Sequence, residues 1–227
     1  GVSQADLLVG SLVDELRKQG VLDDTLVIVT ADHGESLGEE LGTTRLWEHD
    51  HMLQTNLRIP LVLRFPKAFP AGKRIAARTD EIDVFPTVVE LARLAPPRQP
   101  TDLDKIDGRS LMPLVRGEAQ SLRPVSFAEN AFFAAAQDER WKLIVDVQRL
   151  KAEAGKYDSR LFDLSADPGE QHNLAAEHSE EVARLLEALR AWAKDMPLRE
   201  MEHSARDLEQ ERRFRELGYT GEEHKPK

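Results

Sequence analysis

The residues from Thr25 to Ala31 read TLVIVTA, and Asp32, His33 and Gly34 follow them directly. A continuous run of β-branched and aliphatic residues is typical of a strand that is buried on both faces. In open α/β sheets, ligands collect beyond the carboxyl ends of the strands. The stretch therefore predicts an interior strand with a polar turn at its tip, the place where a functional site is expected.

The segments on either side favour an α/β arrangement. Leu8, Leu12 and Leu16 recur at four-residue spacing, which predicts a helix that ends near Gly20. A second apolar run at 59–64 predicts another buried strand. We expect the α/β class, with a mixed, mostly parallel sheet flanked by helices and a small α+β subdomain at the C-terminal end.

The remaining chain predicts a smaller second region. Proline near the first turn predicts a helix that opens at Asp83 and runs to Leu94. Short strands are expected at 125–127, 141–145 and 161–162, and the stripe from Val182 to Trp192 predicts a helix that follows Ser179. The predicted organisation is a catalytic α/β part at 1–120, a sheet-plus-helix subdomain at 121–195 and a charged helical tail at 196–227.

Composition excludes several kinds of site and partner. The 227 residues contain no cysteine, so thiolate metal sites and cysteine nucleophiles are excluded within this sequence. The formal net charge of -10 disfavours general binding to nucleic acid. No apolar run approaches the ~18 residues of a membrane-spanning helix, so no membrane span is expected.

The segment 32–56 is the candidate functional loop. It is rich in histidine and acidic residues and, at about 25 residues, is long for a plain connection. Asp32 offers a hard carboxylate oxygen and His33 an imidazole nitrogen, and adjacent residues on a sharp turn at Gly34 can face one divalent cation. The alternative is that Asp32 caps the next turn and His33 is an ordinary surface residue.

Several ordered blocks of the sequence are similar to the sulfatase family of the alkaline phosphatase superfamily. The first is the run from Thr30 to Glu39, which is followed by Trp47 and His49 and then by 57–62. The match continues through the blocks 83–94, 107–114, 140–144, 161–164 and 167–174. Their order and spacing together identify the chain as resembling that family over nearly its whole length.

The resemblance implies the site residues. Asp32 and His33 would ligate the active-site divalent metal, with calcium expected first and magnesium or manganese as alternatives. His33 stands where many relatives carry asparagine. His49 falls where many relatives carry a lysine that contacts the sulfate. A histidine there can contact a sulfate oxygen, protonate the leaving oxygen or bind the metal, and we expect contact with the oxyanion first. His51 would take this role only if the alignment shifts, and is otherwise expected to be solvated.

The family's nucleophile motif, Cys/Ser-x-Pro-x-Arg, is absent from this sequence, as is the further pair of acidic metal ligands. The resemblance implies that a formylglycine nucleophile lies upstream. We expect about 200 to 300 residues before Gly1, the size of one large α/β domain, and we expect this chain by itself to be inactive.

The sequence thus predicts that the intact protein hydrolyses sulfate esters of small molecules or glycans. The alternative within the superfamily is a phosphate or phosphonate ester hydrolase, or a phosphoglycerol transferase. The alternative outside enzymes is an interaction module in which Asp32 and His33 only stabilise a turn.

Overall fold

The computed structural model describes residues 2–41, 44–48, 51–93, 106–130, 132–150 and 159–194. The helices are α1 (Val2–Lys18), α2 (Gln54–Leu57), α3 (Val84–Leu91), α4 (Met112–Arg116), α5 (Val147–Leu150) and α6 (Ser179–Ala193), with short 3-10 turns at Leu22–Asp24 and Glu81–Asp83. The strands are β1 (Val27–Thr30), β2 (Ser36–Leu41), β3 (Thr44–Glu48), β4 (Leu61–Arg64), β5 (Ser126–Glu129), β6 (Phe133–Gln137), β7 (Trp141–Asp146) and β8 (Ser159–Asp163).

The chain divides into two compact units. The first unit comprises 1–32 and 59–122, and the second comprises 33–58 and 123–227. The candidate functional loop therefore groups with the C-terminal part of the chain. The domain boundaries predicted near 120 and 195 stay predictions, and the predicted tail at 196–227 lies outside the described residues.

In the first unit, β1 pairs with β4 in an antiparallel ladder, from Val27 opposite Arg64 to Thr30 opposite Leu61. Every ladder in the described ranges is antiparallel. The expected predominance of parallel pairing is therefore not seen in these ranges. The strands β2 and β3 form a hairpin, β5 to β8 form a meander, and β1 and β4 form one antiparallel pair of the kind that mixed sheets often include.

The expectation that β1 and β4 are buried on both faces is wrong for the described chain. Val27, Ile28 and Val29 are half-buried, and Val62 is 58% exposed. Helix α1 forms where its leucine spacing predicted it, yet none of its residues is buried, and Leu8 is 72% exposed. Periodicity established which residues share a face and could not establish what covers that face.

A buried aspartate organises the connection into α3. One Asp83 oxygen accepts the Asp80 N–H at 2.9 Å and the other accepts the Arg109 N–H at 2.8 Å. The Thr87 hydroxyl donates to Asp83 O at 2.6 Å and accepts the Leu111 N–H at 2.9 Å. The start of α3 and the segment 109–111 therefore meet in space, and their polar residues satisfy backbone groups at a helix start.

In the second unit, β5, β6, β7 and β8 form a four-stranded antiparallel meander. Helix α6 covers one face of this sheet, where Leu185 and Leu189 are fully buried against the alanines 134 and 136 and against Leu143 and Leu161. These contacts confirm the predicted C-terminal sheet and its helix. No helix in the described ranges is both long and apolar enough to cross a membrane.

The opposite face of the same sheet supports the candidate functional loop. Leu46, Met52 and Leu53 from the loop are buried together with sheet residues that include Ile144 and Phe162. Met52 has a φ of 56°, in the left-handed region that is uncommon for residues other than glycine. Burial of its side chain and of its neighbour holds the loop on the sheet in spite of this conformation.

Candidate functional site

The turn after β1 carries the two predicted metal ligands. Asp32 and His33 are both exposed, and the division between the two units falls between them. His33 Nδ1 lies 2.9 Å from Gly34 O, and because a carbonyl can only accept, the ring donates through Nδ1. In the neutral ring this tautomer leaves the lone pair on Nε2, the arrangement usual for a metal-binding histidine.

The metal site is not complete within the described residues. No group of three or more His, Asp or Glu side chains able to hold a metal ion occurs in the ranges that the structure describes. A carboxylate and an imidazole are fewer ligands than a divalent cation requires. The convergence of Asp32 and His33 on one cation therefore stays a prediction.

Position 34 has no room for a side chain, so glycine is required there. Its N–H donates to Asn56 O at 2.7 Å, which joins the turn after β1 to the last turn of the loop. A β-carbon at position 34 would lie 2.0 Å from Thr55 O and 3.0 Å from the Thr55 carbonyl carbon. The sequence predicted a glycine for a sharp change of direction, and the structure assigns it a close approach between two backbone segments.

Buried polar side chains reinforce this contact. The hydroxyls of Ser36 and Thr55 are 3.0 Å apart, and Asn56 Nδ2 donates to Ser36 Oγ at 3.4 Å. Ser36 and Asn56 are almost fully buried. Hydrogen bonds among buried groups are costly to break, so the network fixes α2 against the residues that follow the metal-ligand turn.

The substrate-contacting candidate His49 lies outside the described residues, which resume at His51. Trp47, on β3, is 58% exposed. His51 is 5% exposed, and its Nε2–H donates to Trp47 O at 2.9 Å. The expectation that His51 is solvated is wrong, because its ring is buried and donates to a backbone carbonyl of β3.

An ion pair that sequence reasoning missed lies beneath the loop. Lys142 of β7 is fully buried, and its Nζ is 2.6 Å from Oε1 of Glu170, which is 2% exposed. Burial lowers the pKa of Lys142 to about 8, and the charge of Glu170 opposes this shift. The available sequence signal was a lysine inside the apolar run Trp141 to Val145, where a buried charge requires a partner.

The other oxygen of this glutamate reaches the loop. Glu170 Oε2 accepts the backbone N–H of Gln54 at 2.5 Å, and the Gln54 side chain donates to Gln137 Oε1 at 2.9 Å. Leu53, at the N-cap position of α2, provides no side-chain hydrogen bond to the helix start. Glu170 therefore satisfies the first N–H of α2 from a distant part of the chain.

His172 lies on the turn that follows the buried glutamate. Its side chain is 78% exposed, and its N–H donates to Asp167 Oδ2 at 2.8 Å. The next residue, Asn173, accepts the Leu161 N–H at 3.0 Å and so ties the turn to β8. The block 167–174 thus attaches the turn to the C-terminal sheet and delivers Glu170 to Lys142.

The sequence of this chain is similar to those of known sulfatases. The family model described as Sulfatase matches residues 1–94. The chain is 33% identical over 183 residues to the choline-sulfatase of Rhizobium meliloti (strain 1021), covering 77% of this chain and 31% of that protein. The chain spans about a third of the length of the curated relatives it matches.

Two solved structures illustrate the structural likeness. One is a protein in complex with its substrate D-glucosamine-2-N,6-O-disulfate, with a TM-score of 0.67, 25% identity, and coverage of 88% of this chain and 41% of that chain. The other is the phosphonate monoester hydrolase of Agrobacterium radiobacter, with a TM-score of 0.66, 26% identity, and coverage of 84% and 40%. These likenesses confirm the predicted α/β fold class.

Proposed function

This chain belongs to the sulfatase family of the alkaline phosphatase superfamily, and we propose that the full-length protein hydrolyses sulfate esters. The observation that carries the proposal is the sulfatase match over residues 1–94, since this range includes Asp32, His33 and His49. The likeness to choline-sulfatase supports the same activity. The proposed substrates are small-molecule or glycan sulfate esters, because relatives and neighbours act on both kinds.

Asp32 and His33 are the proposed protein ligands of one divalent metal. A carboxylate oxygen suits calcium, magnesium and manganese, and the imidazole extends the range toward transition metals. The Nδ1–H bond from His33 to Gly34 O fits this role because it orients the ring and sets its tautomer. When bound, the cation would neutralise charge on the transferred sulfate. Calcium remains the first candidate. Of the two alternatives, magnesium and manganese, a histidine ligand favours manganese.

His49 is the proposed substrate-binding and catalytic residue. A protonated imidazole donates a hydrogen bond to a sulfate oxygen, where negative charge is concentrated, or a proton to the departing oxygen. In the sequence His49 lies between Trp47 and His51, and the His51 ring donates to Trp47 O at 2.9 Å. Formylglycine is the proposed nucleophile, carried by a part of the protein outside this chain.

Ligand substitution tests the metal role in the full-length protein. Asp32→Ala removes the only anionic ligand proposed in this chain, so metal-dependent hydrolysis of an aryl sulfate should fall to background. His172→Ala is the matched control, because His172 is exposed and lies on a structural turn. Undiminished turnover by Asp32→Ala would refute the metal role, whatever the control shows.

A series of leaving groups tests the role of His49. If His49 protonates the departing oxygen, His49→Ala should slow alkyl sulfates, which leave poorly, far more than 4-nitrophenyl sulfate. If it contacts a sulfate oxygen, the loss should be similar for both, on the order of 10²-fold for one such donor. Full activity of His49→Ala on both esters would remove His49 from the site.

A phosphonate or phosphate ester hydrolase is the second candidate, favoured by the likeness to the phosphonate monoester hydrolase of Agrobacterium radiobacter. Parallel kcat/KM measurements on one aryl alcohol esterified as sulfate, phosphonate monoester and phosphate diester separate the two. The proposal expects the sulfate to react fastest. A higher kcat/KM for either phosphorus ester would assign the protein to the second activity.

A further inference from the structure

Beneath the candidate loop, the pair Lys142 and Glu170 is connected to the metal-ligand turn by a continuous set of contacts. Glu170 accepts the Gln54 N–H at the first residue of α2. Two residues later, Asn56 O accepts the N–H of Gly34, which follows His33 in the sequence. A single short helix thus joins the buried glutamate to the backbone beside the proposed ligand.

We propose that Glu170 is a positioning residue, which holds the start of α2 through the Gln54 N–H and thereby sets the place of the Gly34 turn. Lys142 holds Glu170 in place. The inference concerns the same site as the proposed function and rests on it for its catalytic consequence. The structural link from Glu170 to Gly34 depends only on the hydrogen bonds described above.

The length of α2 explains why such support is needed. The helix has four residues, Gln54 to Leu57, and a single turn has little stability of its own in water. It follows Met52, whose backbone is in the left-handed region. A carboxylate that accepts the first N–H at 2.5 Å replaces the missing N-cap side chain and complements the helix dipole.

The burial of the ion pair also supports a positioning role for Glu170. Lys142 and Glu170 are 0% and 2% exposed, so both charges have lost their contact with water. A buried ion pair adds little net stability compared with apolar side chains of similar size, because desolvation offsets the attraction. Its particular property is positional: the Lys142 ammonium attracts Oε1 at 2.6 Å, while Oε2 lies 2.5 Å from the Gln54 nitrogen.

Substitution of Gln54 tests the link without altering the buried pair. Proline is tolerated at the first position of a helix, and Leu53 before it already has the extended backbone that precedes proline. Gln54→Pro therefore removes the N–H that Glu170 accepts. Gln54→Ala is the matched control, since it keeps that N–H and, like proline, removes the side-chain bond to Gln137.

Two measurements on the full-length protein decide the outcome. Hydrogen exchange is followed in peptides covering 34–38 and 51–58, with α6 as an internal reference, and kcat is measured on an aryl sulfate well below the unfolding temperature. Gln54→Pro should raise exchange in both peptides, leave α6 unchanged and lower kcat about 10-fold or more, as expected when groups at a site are displaced by a fraction of an ångström to 1 Å. Gln54→Ala should resemble wild type.

A pair of double variants provides a second test if the proline variant fails to fold. Lys142→Met with Glu170→Gln removes both charges and keeps an oxygen acceptor for Gln54, whereas Lys142→Met with Glu170→Met removes the acceptor as well. Protection at 34–38 should be retained in the first and lost in the second. Equal exchange in the two double variants, or in the two Gln54 variants, would overturn the inference. If the wild-type protein hydrolyses no sulfate ester, the proposed function fails while the exchange comparison still decides the link.

Discussion

Replacing Gly34 by alanine perturbs the point where the metal-ligand turn meets α2. The new β-carbon would lie 2.0 Å from Thr55 O, with Thr55 C at 3.0 Å. An ordinary carbon to oxygen contact is about 3.3 Å, so the two backbones must separate by about 1.3 Å. A shift of that size along the contact would lengthen the 2.7 Å bond from Gly34 N to Asn56 O beyond hydrogen-bonding range.

The expected magnitude combines two terms. Loss of the backbone hydrogen bond contributes about 1 kcal/mol, and forcing a methyl group into a filled space contributes about 1–3 kcal/mol. We therefore expect Gly34→Ala to reduce the free energy of unfolding of this region by about 2–4 kcal/mol. A displacement near 1 Å at the adjacent His33 should also reduce turnover on the order of 10²-fold.

Gly10→Ala is the matched control. Gly10 lies within α1 and a β-carbon there would meet nothing within 4 Å. The same change in side chain should then stabilise the protein by roughly 0.5–1 kcal/mol through helix propensity. Urea unfolding and kcat/KM on an aryl sulfate, measured for both variants in the full-length protein, are the assays. Wild-type turnover with a loss of stability below 1 kcal/mol in Gly34→Ala would refute the close-approach argument.

Three further perturbations have outcomes that follow from the structure. Leu185→Ala leaves a cavity between α6 and the C-terminal sheet and should lower the free energy of unfolding by about 2–5 kcal/mol in denaturant titration; a smaller loss would place the helix off the sheet. The Arg140 guanidinium holds the pKa of Asp163 well below its usual range, so the stability from Asp163 is present above about pH 4 and is lost as the pH falls. Asp163→Asn should flatten this acid dependence, and an unchanged acid titration would contradict the assignment. Folding lowers the pKa of Lys142 from 10.5 to about 8, so between these pH values the unfolded chain binds more protons than the folded chain. The free energy of unfolding of the wild type should therefore rise with pH in this range, by up to about 3 kcal/mol relative to Lys142→Met. Parallel plots of unfolding free energy against pH for the two proteins would count against a charged, buried lysine.

Elements with a strong and regular apolar pattern were predictable from the sequence. The stripe from Val182 to Trp192 predicted α6, and the run at 25–31 predicted β1, because each pattern matches one kind of secondary structure. β6 was missed, since Phe133-Ala-Ala-Ala-Gln137 contains residues with low strand propensity. Ala134 and Ala136 are explained by packing, because their small side chains let α6 approach the sheet closely.

The hairpin of β2 and β3 was missed for a different reason. Its strands lack regular alternation, the pairing shifts register between Leu37 and Glu40, and both Leu37 and Trp47 are exposed. A bulged hairpin with apolar residues outside has no period-2 signal. The sequence therefore indicated an irregular loop over 32–56, where the structure has two strands and a helical turn.

The candidate site shows why chemistry was easier to predict than geometry. Asp32, His33 and His49 were identified as candidates because the sequence blocks around them resemble a known family in order and spacing, information carried by neighbours in the chain. The groups that hold them are distant in sequence: Gly34 bonds to Asn56, and Gln54 bonds to Glu170, 116 residues away. Contacts of that separation leave no local periodicity, and a single sequence offers only indirect signs of them, such as a lysine in an apolar strand. A family match can therefore assign donors to a site, while the residues that set the positions of those donors must be found from contacts. Substitutions at these positioning residues, which are remote from the donors, should change turnover in ways that the sequence alone does not indicate.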